Sequence, residues 1–249
     1  MKAASWAPLL ALRLAACAAD RAVTRDQLIA RHTAAMGGAQ AIEAVGSLEI
    51  DVRISEGGSQ LEGAWRADRQ GRMRIDVSAD GRRVYTEAYD GKRAWQMDEK
   101  GAVTSSRPEG AAALWHGTQY PGRLFGLHEM AQLGHSVELE GREPLDGIVY
   151  YVLKLTLSDG FVTYRYLNPQ TWLIDRGRDV RAVHPDIDPT QKRLENRWSD
   201  WRPVVGVLRA FHEEQVDVSS GKVLQTTEVT RIEVNPEPSA GVFDAPAPR

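Results

Sequence analysis

From Leu48 onward, apolar and charged residues alternate. Leu48, Ile50, Val52 and Ile54 fall on one parity, and Glu49, Asp51 and Arg53 on the other. Successive side chains of a strand point to opposite faces of a sheet, so a two-residue period marks a strand with one face buried and one wet. After a Gly57-Gly58 turn the pattern returns. Leu61, Gly63, Trp65 and Ala67 oppose Glu62 and Arg66, then Met73, Ile75 and Val77 oppose Arg74 and Asp76. Strands this closely spaced are joined by hairpins, which makes the sheet antiparallel.

The strongest local signal is Asp90-Gly91 between Val84–Tyr89 and Lys92–Met97. Asp-Gly suits a two-residue turn that needs positive φ at both centres. A two-residue loop pairs 88 with 93, 86 with 95 and 84 with 97. That register predicts an apolar face of Val84, Thr86, Ala88, Trp95 and Met97, with Arg93 as its only cation. Tyr85, Glu87, Tyr89, Lys92 and Gln96 fall on the wet face, with Ala94 among them.

Before the strands, Thr24-Arg25-Asp26-Gln27 reads as a capping box, followed by Leu28, Ile29, His32, Ala35 and Met36 at helical spacing. Gly37-Gly38 ends that helix, and Ala39–Val45 predicts a second. Residues 108–134 lose the two-residue period, and Ala111–Trp115 and Leu124–Leu127 predict two more short helices. Strands resume at Val137–Glu140, Val149–Leu155, Phe161–Leu167, Trp172–Arg181, Arg193–Trp201, Val207–Val218 and Val223–Val234. The expected fold is mainly β with an α lid: a curved antiparallel sheet of about eleven strands, an incomplete, half-open β-barrel, with short helices over the concave face.

The N-terminus carries Lys2, an apolar Ala3–Leu12 core and small residues before the single cysteine, Cys17. Residues 1–16 read as a signal peptide, 17–23 as a tether and 24–249 as a single domain. Leu14-Ala15-Ala16-Cys17 resembles a bacterial lipobox, in which Cys17 is the lipid attachment site. Ala18 after it, by resemblance to sorted lipoproteins, points to the outer membrane.

The remaining composition narrows the function. Net charge is −3 with no basic cluster, so no nucleic-acid partner is expected. His128-Glu129-Met130-Ala131-Gln132 starts like a zinc-protease helix but has Gln132 where the second histidine belongs. His184-Pro185-Asp186-Ile187-Asp188 lacks further ligands, so no metal or cofactor is expected. Glu213 and Glu214 point to opposite faces of a strand, and no nucleophile can be paired with a base. No catalytic residue is expected, and the protein is not read as an enzyme.

What remains is an apolar surface. Ile50, Val52, Trp65, Met73, Ile75, Val84, Trp95 and Met97 from the first half, with Val149, Tyr151, Leu153 and Leu155 from the second, are the candidate hydrophobic cavity. Leu114, Trp115, Leu124 and Phe125 are the candidate lid. Singly these residues suit a closed core, but a half-barrel of this width is too large to be filled by its own side chains.

Four segments carry a resemblance: Met36–Ile42, Tyr89–Trp95, Trp198–Val207, and Ile232–Pro236 with Val242-Phe243-Asp244. In these the chain is similar to the bacterial outer-membrane lipoprotein carrier and receptor superfamily (LolA/LolB-like). The resemblance implies a hydrophobic cavity that takes acyl chains, and an inward arginine that contacts the lid, for which Arg93 is the candidate by parity. The expected function is a periplasmic, membrane-anchored protein that binds lipid or an acylated lipoprotein without catalysis. The alternative is an envelope interaction scaffold with a packed core, docking a protein partner through exposed Tyr85 and Tyr89.

Overall fold

In the computed structural model, which describes residues 23–237 and 240–246, the alternating stretches build one antiparallel sheet of thirteen strands. In chain order these are β1 (Ser47–Glu56), β2 (Ser59–Asp68), β3 (Met73–Ala79), β4 (Arg82–Tyr89), β5 (Ala94–Met97), β6 (Val103–Ser105), β7 (Ser136–Leu145), β8 (Ile148–Thr156), β9 (Val162–Leu167), β10 (Ile174–Arg181), β11 (Lys192–Val204), β12 (Val207–Asp217) and β13 (Val223–Val234). The helices are α1 (Arg25–Ala35), α2 (Ala39–Glu43) and α3 (Pro108–Gln119), with a single 3₁₀ turn at Leu127–Glu129. The signal peptide, Cys17 and its lipobox lie outside the described residues.

The strand order is β6-β5-β4-β3-β2-β1-β13-β12-β11-β10-β9-β8-β7. β1 pairs with β13 at the middle, and the sheet curves without closing into a barrel. Its two edge strands, β6 and β7, are consecutive in sequence. The chain between them, residues 106–135, holds α3 and the 3₁₀ turn and spans the inner face as a cover. β6 adds to the expected strand count because its three residues are too few to show a period.

The first helix forms as its cap predicts. Thr24 N–H donates to Gln27 Oε1 at 3.0 Å, and Gln27 N–H donates to Thr24 Oγ1 at 3.3 Å. Gly37 follows at φ +120°, where a Cβ would run into the Gly206 carbonyl. This close approach seats the α1–α2 corner on the β11–β12 hairpin, where Leu208 N–H donates to Met36 O at 3.0 Å.

The 90–91 hairpin corrects the sequence reading. Cα partners are Thr86/Met97, Ala88/Trp95 and Tyr89/Ala94, so the loop has four residues rather than two. Asp90 Oδ1 accepts from the amides of both Lys92 and Arg93 at 2.8 Å. An aspartate that can cap two amides favours this wider turn.

Register then fixes the faces. Trp65 pairs with Ile75 and Ile75 with Glu87, so Tyr85, Glu87 and Tyr89 share the inner face with Trp65, Met73 and Ile75. Val84, Thr86, Ala88, Trp95 and Met97 lie on the opposite, outer face. Part of that face is dry because the C-terminal tail packs on it. Trp95 Nε1 donates to Phe243 O at 2.9 Å, Arg74 Nη1 donates to Val242 O at 3.1 Å, and Arg72 stacks on the Phe243 ring at 4.8 Å. Phe243→Ala is expected to lower stability by about 2 kcal/mol, at the low end for a buried aromatic because the tail can simply undock. Urea denaturation of the two proteins checks this.

Candidate functional site

The inner face carries one large apolar cluster. Ile50, Val52, Trp65 and Met73 from β1–β3 meet Leu153 and Leu155 from β8, and Ile75 and Tyr151 pack on its margin. The cover supplies Leu114, Leu124 and Phe125 to the same cluster, with Trp115 beside them. Leu124, Leu153 and Leu155 are fully buried. These candidate cavity and lid residues are therefore brought together. Val84, Trp95 and Met97 are not, for the register reason above. Val149 has inward parity but stands at the strand start and is 42% exposed.

Arg93 is also displaced. It sits exposed in the β4–β5 turn, and its side chain makes no hydrogen bond or ion pair among the described residues. Two other arginines hold the cover instead. Arg69, from the β2–β3 turn, donates to Glu129 Oε1 at 2.6 Å, to Val45 O at 2.6 Å and to Ile42 O at 2.9 Å. Its guanidinium also stacks on Phe125 at 4.9 Å. Arg209, on the inner face of β12, donates to the carbonyls of Gly122 and Arg123. Arg209 is 4% exposed, and burial pulls its pKa down to about 10, with Arg123 and Arg69 adding to the fall. The only sequence signal for Arg209 is its inward parity between Val207 and Phe211. For Arg69, next to a turn, there is none.

Two features flank the covered face. The loop after β10 crosses one end, where His184 Nε2 lies 2.6 Å from Glu56 Oε1 and Arg107 N–H donates to Asp186 Oδ1 at 2.7 Å. Glu87 faces this loop. Burial raises its carboxyl to about 7, with Asp186 adding to the rise and His184 and the Tyr85 hydroxyl opposing it. At the other side, a groove of about 580 Å³ runs between α1, the 3₁₀ turn and β7, walled by Ile29, Ala34, Leu127, Ala131 and Val137.

That groove contains a pairing not foreseen from the sequence. Thr33 Oγ1 lies 3.3 Å from His128 Nδ1, and His128 Nε2 lies 3.1 Å from Glu43 Oε1. The order is hydroxyl, imidazole, carboxylate. Thr33, however, sits inside α1, whose own amides are consumed by the helix ladder and cannot stabilise an oxyanion. The chain of contacts joins α1, α2 and the 3₁₀ turn. Glu129, the carboxylate of the protease-like stretch, is bound by Arg69 and the Gly126 amide. Among the described residues no group of three or more His, Cys, Asp or Glu side chains could hold a metal ion. No described helix is long and apolar enough to cross a membrane.

Comparisons with known proteins agree with this architecture. No family model and no curated protein matches the chain. Among solved structures, a LolA superfamily protein from Nitrosomonas europaea superposes with a TM-score of 0.55 at 13% identity, over 87% of this chain and 96% of the other. A DUF1329 family protein from Desulfovibrio piger gives 0.55 at 12%, over 88% and 96%. A putative outer membrane lipoprotein-sorting protein domain from Vibrio parahaemolyticus gives 0.55 at 9%, over 88% and 95%. The chain has the LolA-like fold.

Proposed function

We propose that this protein binds the acyl chains of a lipid or of an acylated lipoprotein between the inner face of the sheet and its cover, without covalent chemistry. The observation that carries the reading is how the cover is fastened. Residues 106–135 roof an apolar face through side chains such as Leu114, Leu124 and Phe125, contacts that an acyl chain can make in their place, and through side-chain hydrogen bonds from Arg69 and Arg209. Charged hydrogen bonds of this kind contribute roughly 1.5–3 kcal/mol each. Burying ten methylenes at roughly 0.8 kcal/mol each outweighs those bonds, so a chain that also takes over the apolar contacts of the cover can lift it. The putative outer membrane lipoprotein-sorting domain from Vibrio parahaemolyticus, which shares this fold, supports the same reading. The anchor is acylated Cys17, which places the protein in the periplasm at the outer membrane.

The scaffold alternative loses its motive, because Tyr85 and Tyr89 face the inner side, where Tyr85 donates to Gln96 Oε1 at 2.7 Å. The test is mass spectrometry of protein purified gently from its native membrane, intact and after solvent extraction. The expected result is a mature chain beginning at acylated Cys17 with stoichiometric lipid in the extract. A chain repeatedly free of lipid, which also fails to take up added fatty acid, would sink the binding reading.

A further inference from the structure

The second half of the inner face is not uniformly apolar. Arg165 of β9 projects inward beside Leu153 and Gly177, its partners on β8 and β10. It is 4% exposed, and its guanidinium lies between two aromatic rings, 4.4 Å from that of Tyr120 in the cover and 5.4 Å from that of Trp198 in β11. A Cβ at Gly177 would collide with this guanidinium and with the Trp198 ring, so the missing side chain makes its slot.

Of the carboxylates around Arg165, Asp179 lies 3.1 Å from Arg181, with its buried Oδ1 left without a hydrogen bond. Glu213 accepts from Asn196 at 2.6 Å and from Arg123 at 3.4 Å. Arg165 makes no salt bridge among the described residues, and its buried Nε and Nη2 have no hydrogen-bond partner. The Tyr120 hydroxyl and Gln215 Oε1, both buried nearby on the cover and on β12, are likewise unpartnered. An unpaired buried guanidinium is among the most costly groups an interior can hold. Burial accordingly lowers its pKa, with Tyr120, Asp179 and Glu213 opposing.

We infer that Arg165, with the Tyr120 hydroxyl, is the subsite for the anionic head of the bound ligand, a carboxylate or phosphate at the end of an acyl chain. This rests on the acyl-binding reading above and adds a head and a direction to it. The head sits under Tyr120, and the chain runs along Leu153, Leu155 and Leu167, which neighbour Arg165 on the same face. Aromatic faces on both sides keep the fork flat, with its Nε and Nη2 edge unpaired, the arrangement that suits two-point binding of an oxyanion.

The test compares palmitate, hexadecanol and inorganic phosphate, titrated into delipidated protein and followed by tryptophan fluorescence and calorimetry. Palmitate is expected to bind wild type at least about tenfold tighter than hexadecanol, since a hydrogen bond to a charged partner is the stronger kind. Arg165→Met is expected to bring the ratio close to one, chiefly by weakening palmitate. It also removes an unpaired buried charge, so its melting temperature should not fall. Arg165→Lys keeps the charge and is expected to retain part of the preference, which holds the test open should the methionine variant fold poorly. Equal binding of acid and alcohol by wild type would overturn the head subsite and leave acyl binding standing. Arg165-dependent binding of phosphate alone, with no preference between the two chains, would reassign the site to a free anion and overturn it too. Failure of both chains to bind would overturn the acyl reading itself.

Discussion

Glu195→Ala is expected to destabilise the protein by about 3–5 kcal/mol, the range for leaving buried charge uncompensated. Glu195 is 2% exposed on the outer face of β11 and is the common acceptor of three guanidiniums. Its Oε1 accepts from Arg197 Nε at 2.6 Å and from Arg176 Nη1 at 2.9 Å, and its Oε2 accepts from Arg178 Nε at 2.5 Å. Arg176 and Arg178 have second carboxylates in Asp146 and Glu143, but those lie at the rim and screen poorly. Without Glu195 the three cations converge on an empty centre. Glu195→Gln keeps the volume and one acceptor oxygen, so it should lose less. Urea denaturation at pH 7 checks both, and a loss below 1 kcal/mol for the alanine variant would mean that the arginines simply swing into water. The arginines hold the Glu195 carboxyl below its ordinary range, although burial alone would raise it. Its contribution is therefore complete above the unfolded pKa and is lost as pH falls through the folded one.

The second large effect is a pH dependence that wild type conceals. His32 is buried under Trp172, with Nδ1 2.9 Å from the Trp172 carbonyl, and burial lowers its pKa to about 4 from an ordinary 6.5. The unfolded chain takes up that proton first, so stability falls as pH drops from 6.5 toward 4, by about 3 kcal/mol at 1.36 kcal/mol per unit. His135, also lowered by burial, adds to this. Glu87 acts oppositely. Its carboxyl is raised to about 7 from 4.5, so the folded state holds the proton and stability is lost as pH rises from 4.5 through 7. Partial access to water reduces its share to roughly 1–2 kcal/mol. Across pH 5–6.5 the two slopes oppose each other. Glu87→Gln should therefore steepen the rise of stability with pH, whereas His32→Gln should reverse it. Denaturation midpoints at pH 5, 5.75 and 6.5 decide the matter, and parallel curves for the three proteins would refute it.

Periodicity and turn chemistry made the sheet legible. A two-residue alternation over Leu48–Ile54 or Met73–Val77 has no competing explanation, and Thr24 and Gln27 announce their helix by side-chain chemistry. What periodicity cannot do is say which of two faces is the inner one. Trp95, Val84 and Met97 look inward because they are apolar, yet the tail around Phe243 gives the outer face its own dry patch. Only the pairing of Ile75 with Glu87 reveals this, and that pairing is not a local property. The same gap explains Arg93. Its parity followed from a two-residue loop, and Asp90 made a wider one. Arg69, Arg165 and Arg209 were equally invisible as a set, since they come from a turn and from two strands more than forty residues apart.

The central β1–β13 seam has a mechanical consequence. The segment that enters β1 and the segment that leaves β13 meet in the middle of the sheet, where Asn235 ties them by accepting from the Gly46 and Ser47 amides and donating to Ala44 O. The free margins are β6 and β7, whose one covalent link is the roof itself. A load applied at the start of α1, by contrast, reaches the 3₁₀ turn of the roof and β7 directly, because α1 packs on both. A circular permutant cut within residues 119–126, with its native ends spliced, would therefore keep every strand pair yet lose the one covalent link between its margins.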